Sequence, residues 1–182
     1  LLPFRNDVVG GSEFKKDLAR YKNWLNAALV TYMQENDIPK EESRLEVVKK
    51  IFGAPDLVAL AHELLNTRTD EEIDALVSKV KTDDEALQLF TKVVSVFVFN
   101  IPSQDQPDNR FRKGVYLFID ELDDLEDCSP KERRSVNDTL RHLYDYTPQD
   151  CFCLGLAITA EQSELEFYFQ ELYNFSNPLN SI

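Results

Sequence analysis

The sequence predicts a mixed α/β protein in which a helical N-terminal portion precedes a βαβ unit with parallel strands. Three observations predict it. Val115 to Ile119 form an unbroken apolar run that stops at Asp120-Glu121. Ser129-Pro130-Lys131-Glu132 then supplies an N-cap, an N1 proline and a capping-box glutamate, the signature of a helix start. Finally, Cys151 to Ile158 give a second apolar run that stops at Thr159. Strand, helix and strand of this length close right-handed, with the strands parallel.

Each element of that unit has a local cause. Five consecutive apolar residues read as a strand buried on both faces, as in a sheet covered by helices above and below. The helix should run from Pro130 to about Tyr146, with Val136, Leu140, Leu143 and Tyr144 on its apolar side. Thr147-Pro148-Gln149-Asp150 breaks it. Parallel strands deliver Asp120-Glu121 and Thr159 to one edge of the sheet, and open α/β sheets bind ligands at the carboxyl edge. Two acids at that edge suit phosphoryl chemistry. One carboxylate orients Mg²⁺ or its water, and the other takes the proton from a water attacking a terminal phosphate. The plain structural reading is an acidic turn that solvates a loop and favours the next helix N-terminus.

The residues before position 100 read as helices. Ser12 caps a helix carrying Phe14, Leu18, Tyr21, Leu25 and Leu29 on one stripe to about Glu35, and Asn36-Asp37-Ile38-Pro39 interrupts it. Leu45, Val48, Ile51 and Phe52 mark a second helix, ended by Gly53, and Pro55 opens a third that reaches Leu65. Thr69-Asp-Glu-Glu72 and Thr82-Asp-Asp-Glu85 open a fourth and a fifth with capping boxes. The fifth carries Leu87, Phe90, Val93, Val94, Phe97 and Val98, although its β-branched and aromatic tail, Val93 to Phe99, also suits a strand. Ser103 to Asn109 is polar, contains Pro107 and lacks periodicity, so it reads as an exposed connection. The resulting division is a helical region at 1–102, a linker at 103–112 and an α/β segment at 113–182.

Leu-Phe-Ile-Asp-Glu-Leu-Asp-Asp-Leu, the capped helix and the strand ending in Thr159 together resemble the central segment of an AAA+ or related STAND-type P-loop ATPase of the origin-recognition-like kind. The resemblance covers roughly residues 113–173. It implies a partial P-loop NTPase core in which Asp120-Glu121 is the Walker B pair and Thr159 is sensor 1. Asp120 would serve Mg²⁺, Glu121 would be the general base, and Thr159 would contact the γ-phosphate of ATP. Thr159-Ala-Glu-Gln162 also fits a capping box, a role compatible with the first.

The departure from that family is the missing G-x-x-x-x-G-K-[ST] loop. Gly10-Gly11-Ser12-Glu13-Phe14-Lys15-Lys16 comes nearest, but its glycines are adjacent and Lys15 falls inside a predicted helix. Because the chain begins at Leu1 rather than methionine, the expectation places the loop upstream. The implied function of the intact protein is Mg²⁺-dependent ATP binding and hydrolysis coupled to conformational change or assembly, the segment by itself being inactive. The alternative is a non-catalytic protein-interaction module on a degenerate P-loop NTPase fold.

Composition narrows the partners. With 182 residues, 43% of them hydrophobic, the chain can bury a sizeable core. Its net charge of −13 opposes direct binding to a nucleic-acid backbone and leaves protein partners or self-assembly. A nucleic-acid mimic would need the negative charge on one face, whereas the sequence spreads it throughout. No apolar stretch is long enough to cross a membrane. Three cysteines without a metal-binding pattern point to reduced thiols and a cytoplasmic setting. Asp120, Asp123, Asp124, Glu126 and Asp127 lack the register and glycine of a calcium loop. Arg133 and Arg134, near the acidic edge, balance its charge or reach a neighbouring protomer's phosphate. His62 and His142 belong to no nucleophile motif. Phe167, Tyr168, Phe169, Tyr173 and Phe175 give the C-terminal segment an aromatic side whose default role is packing.

Overall fold

The computed structural model describes residues 4–39, 41–120 and 128–157. Among them are six α-helices, one π-helical turn and two strands, a mostly helical α/β protein. The chain divides into two compact units, one of Pro3–Lys113 and the other of Gly114–Ile182 with Leu1–Leu2.

In the first unit a π-helical turn, Arg5–Val9, leads into α1, Ser12–Glu35. There follow α2 (Arg44–Phe52), α3 (Pro55–Asn66), α4 (Asp70–Ser78) and α5 (Asp83–Val98). Their boundaries follow local chemistry. Gly11, not Ser12, is the N-cap of α1, because Gly11 holds the extended backbone and Ser12 is already helical. Gly53 ends α2 at a positive φ of 68°, a conformation that only glycine adopts without cost. At α5 the capping box is complete. The Glu85 amide donates to Thr82 Oγ1 at 3.2 Å, and the Thr82 amide donates back to the Glu85 carboxylate at 3.3 Å. At α4 the Glu72 amide donates to Thr69 Oγ1 at 3.4 Å, while the Glu72 carboxylate accepts from the Arg68 amide instead. The tail of α5 stays helical to Val98, since burial of Val93, Val94, Val96, Phe97 and Val98 outweighs their strand preference.

Leu18, Tyr21 and Leu25 of α1, Val47 and Val48 of α2, Leu64 of α3, and Val93 and Val94 of α5 are almost fully buried, so all these helices feed one core. Gln104 to Asp108, within the stretch expected to be an exposed connection, are exposed, and the chain on either side of them bonds back to this unit. The Ile101 amide donates to Asn109 O at 3.0 Å, and the Arg112 amide donates to Phe97 O at 2.8 Å. Phe111 stands 5.4 Å from Tyr21 and 4.9 Å from Phe97 between ring centroids, and the Arg112 guanidinium lies 4.7 Å over the Phe111 ring.

The second unit contains β1 (Val115–Ile119), α6 (Pro130–Tyr146) and β2 (Phe152–Leu156). The strands pair in parallel with Val115 opposite Phe152 and Ile119 opposite Leu156. Ser129 and Glu132 form the complete capping box that opens α6. Val136 and Leu140 of that helix bury Ile119 and pack on Leu117, Leu154 and Leu156. Tyr144, expected on the apolar side, is exposed.

The expectation that β1 is buried on both faces is corrected. Val115, Leu117 and Ile119 are buried or half-buried, whereas Tyr116 and Phe118 between them are 69% and 77% exposed. In β2, Cys153 is likewise exposed. An apolar run fixes which residues can be buried, but a strand offers two faces and α6 covers only one. The second strand is also shorter than predicted, starting at Phe152 rather than Cys151; Ile158 lies outside the described residues.

Candidate functional site

The acidic edge is built by β1 and β2. The Val115 amide donates to Cys151 O and the Ala157 amide to Ile119 O, both at 2.8 Å, so hydrogen bonding extends one residue past β2. The carboxyl ends of the strands therefore finish side by side. Asp120 follows Ile119 directly and is exposed. Because Val136 and Leu140 share a cluster with Ile119 and Leu156, α6 lies along the two strand ends that form this edge.

Of the three residues predicted to act here, the structure places one. Asp120 stands at the carboxyl edge; Glu121 and Thr159 lie outside the described residues. The acids Asp123, Asp124, Glu126 and Asp127 lie outside them too. An exposed carboxylate at a strand end fits a magnesium ion that keeps most of its water, since Mg²⁺ commonly takes only one or two protein carboxylates. Among the described residues no three His, Cys, Asp or Glu side chains gather to hold a metal directly. At the start of α6 the Glu132 carboxyl is held below its ordinary value of 4.5 by bonds from the Ser129 hydroxyl and then the Ser129 amide. That anion serves the helix N-terminus.

The glycine pair at 10–11 does not form a phosphate cradle. Lys15 lies within α1, one turn past its N-cap, and its Nζ sits 3.1 Å from the Asp74 carboxylate of α4. Lys15, Lys16 and Arg20 of α1 and Asp70, Ile73 and Asp74 of α4 line an open cleft of about 440 Å³. Lys16 pairs with Glu13 at 2.6 Å and Arg20 with Asp17 at 3.2 Å, so all three cations are already matched. Sequence reading missed this cleft, because α1 and α4 are brought together only by the fold. The Lys15, Lys16 and Arg20 spacing along one helix was the available signal.

A buried Tyr21 hydroxyl was missed as well. It has no hydrogen-bond partner among the described residues, and burial raises its pKa well above the usual phenolic range. Trp24, Phe97 and Phe111 surround its ring at 5.0–5.6 Å.

No helix among the described residues is long and apolar enough to cross a membrane. Comparison with known protein families, with curated proteins and with solved structures finds no match to this chain.

Proposed function

We propose that the second unit is the metal-and-base part of a P-loop ATPase site of the AAA+ or STAND type, acting in Mg²⁺-dependent ATP hydrolysis by the intact protein. The observation that carries this reading is the parallel β1–α6–β2 arrangement, with an apolar strand ending at an exposed Asp120 beside the end of its neighbour. Bound magnesium would supply charge neutralisation on the phosphate oxygens. Asp120 would hold it through water, Glu121 would accept the proton of the attacking water, and the Thr159 hydroxyl would meet the γ-phosphate. Hydrolysis would drive conformational change or assembly with protein partners or further copies of the chain. A cytoplasmic setting agrees with three free cysteines. The net charge of −13 disfavours nucleic acid as a direct ligand of this segment.

The second reading, a non-catalytic interaction module on a degenerate P-loop NTPase fold, draws on the position of Lys15 inside α1 and on the absence of a phosphate-cradling turn among the described residues. Mg·ATP binding and turnover by the longest native form of the protein, alongside Glu121→Gln and Asp120→Asn, decide between them. The ATPase reading expects Glu121→Gln to bind ATP and lose turnover by about 100-fold or more, the scale of general-base removal. It expects Asp120→Asn to raise the magnesium concentration needed for turnover. Full-length protein that binds no ATP would overturn this reading and leave the interaction module.

A further inference from the structure

The chain that leaves the helical unit is held to it by few groups. Ile101 is deeply buried, but no residue from Pro102 to Gly114 is. A first attachment closes the loop after α5. The Ile101 amide donates to Asn109 O at 3.0 Å, and the Gln104 amide meets the Glu35 carboxylate at 3.0 and 3.1 Å. A second, separate attachment is made by Phe111 and Arg112. The half-buried Phe111 ring lies against Tyr21, Trp24 and Phe97, with centroids 5.4, 6.0 and 4.9 Å away. The Arg112 amide donates to Phe97 O at 2.8 Å, and its guanidinium lies 4.7 Å over the Phe111 ring. That guanidinium also meets Asp17 Oδ1 at 2.9 Å, an oxygen it shares with Arg20 at 3.2 Å. The Arg112 and Asp17 side chains are 42% and 31% exposed, so salt screens their attraction. Beyond them the Lys113 side chain is 84% exposed, and the Val115 amide is already bonded to Cys151 O.

We propose that Phe111 and Arg112 form a latch that sets the length of free chain joining the two units. Seated, it leaves only Lys113 and Gly114 between the last residue fixed on the helical unit and the first fixed on the sheet. Open, it frees residues 110–114 as far back as the Asn109 attachment. Two extended residues reach about 7 Å and five about 17 Å, so opening more than doubles the reach of the joint. A half-buried ring, one backbone bond and an exposed ion pair open at a lower free energy than the core they rest on. Opening also uncovers a basic cluster. Arg110, Arg112 and Lys113 are three cations within four residues of a chain whose net charge is −13. In the seated state Asp108 lies 2.9 Å from Arg110 and 3.8 Å from Lys113, while Asp17 takes Arg112. Bonds after Arg and Lys are those a trypsin-like protease cuts, and it needs several free residues around them, which only the open latch supplies. The inference needs no nucleotide and stands apart from the ATPase reading.

The test is limited digestion of the full native chain with trypsin, reading cleavage after Lys113 by mass spectrometry. A peptide of residues 106–118 with the matching sequence serves as the fully open reference. Wild-type protein is expected to be cut at least about 100 times more slowly than its peptide, because cleavage follows the open population. Phe111→Ala is expected to raise the protein's rate at least about tenfold as the buried part of the ring is lost. Asp17→Asn keeps every aromatic contact and should raise it about two- to fivefold, the scale of an exposed ion pair. Cleavage after Lys22, inside α1, is expected to stay unchanged in both variants. Wild-type protein cut as fast as its peptide would overturn the proposal, since the latch would not be seated. Two variants cut no faster than wild type would also overturn it, as would cleavage after Lys22 rising in step with cleavage after Lys113. The last result would make Phe111 part of the cooperative core.

Discussion

The helical unit and the α/β unit reach their stability differently. In the first, five helices each bury an apolar face, and Phe111 packs on Tyr21 and Phe97 beyond an exposed polar stretch. In the second, among the described residues, one helix lies on two strands, and the opposite face shows two aromatic rings to solvent. Such a two-stranded sheet is marginal unless other layers add to it. The difference separates scaffold from site: the acidic edge that carries the proposed chemistry belongs to the second unit.

Core truncations test the comparison most strongly. Leu64→Ala in α3 removes a side chain with no solvent exposure, and should cost about 2–5 kcal/mol. Trp24, the single tryptophan, reports the helical unit, so its fluorescence midpoint in urea should fall. Leu140→Ala in α6 should cost a similar transfer and cavity energy, about 2–5 kcal/mol, but within the α/β unit. The Trp24 midpoint should then stay in place while the far-ultraviolet signal of the α/β unit is lost earlier. A Trp24 midpoint that falls equally in both variants would show one cooperative block and end the comparison.

Caps come next. Thr82→Ala and Ser129→Ala each remove the acceptor of a complete capping box, at about 1 kcal/mol. Equal losses measured at α5 and α6 would mean that helix starts contribute alike in both units, leaving core size as the source of the contrast. Tyr21→Phe acts in the other direction. It deletes a buried hydroxyl without a partner, so the helical unit should be unchanged or stabilised by up to about 1 kcal/mol. A clear loss of stability would reveal a bound water at that hydroxyl.

The smallest effect is acid sensitivity at α6. The Glu132 carboxyl titrates below its ordinary value of 4.5 in the folded chain, because the Ser129 hydroxyl and then the Ser129 amide bond to its ionised form. A depressed carboxyl contributes stability that is full above the unfolded value and is lost as pH falls through the folded one. Wild-type protein should thus lose slightly more stability below pH 4.5 than Glu132→Gln does. Parallel pH profiles for the two proteins would remove Glu132 from the account.

Much of the helical unit was legible because its signals are local. Thr82 with Glu85 and Gly53 with Pro55 each fix a boundary within a few residues, as Ser129 with Glu132 does in the α/β unit, so position in the fold hardly matters. The candidate site was legible only as a juxtaposition of strand ends. Asp120 is where a parallel β1–β2 pair places it, while the roles of Glu121 and Thr159 rest on resemblance and lie outside the described residues. The cleft between α1 and α4 was not legible, since Lys15 and Asp74 are 59 positions apart in the chain.

By itself, then, the sequence determined the helix starts and stops, the two apolar strands and their acidic boundary, because caps, periodicity and apolar runs act over one or two turns. The tertiary structure decided which side of β1 is covered, where 103–112 goes and whether the 10–16 stretch can cradle a phosphate. Those outcomes depend on contacts between residues far apart in the chain. Alternation in a strand says that Tyr116 and Leu117 point apart, but only the position of α6 determines which of them meets water.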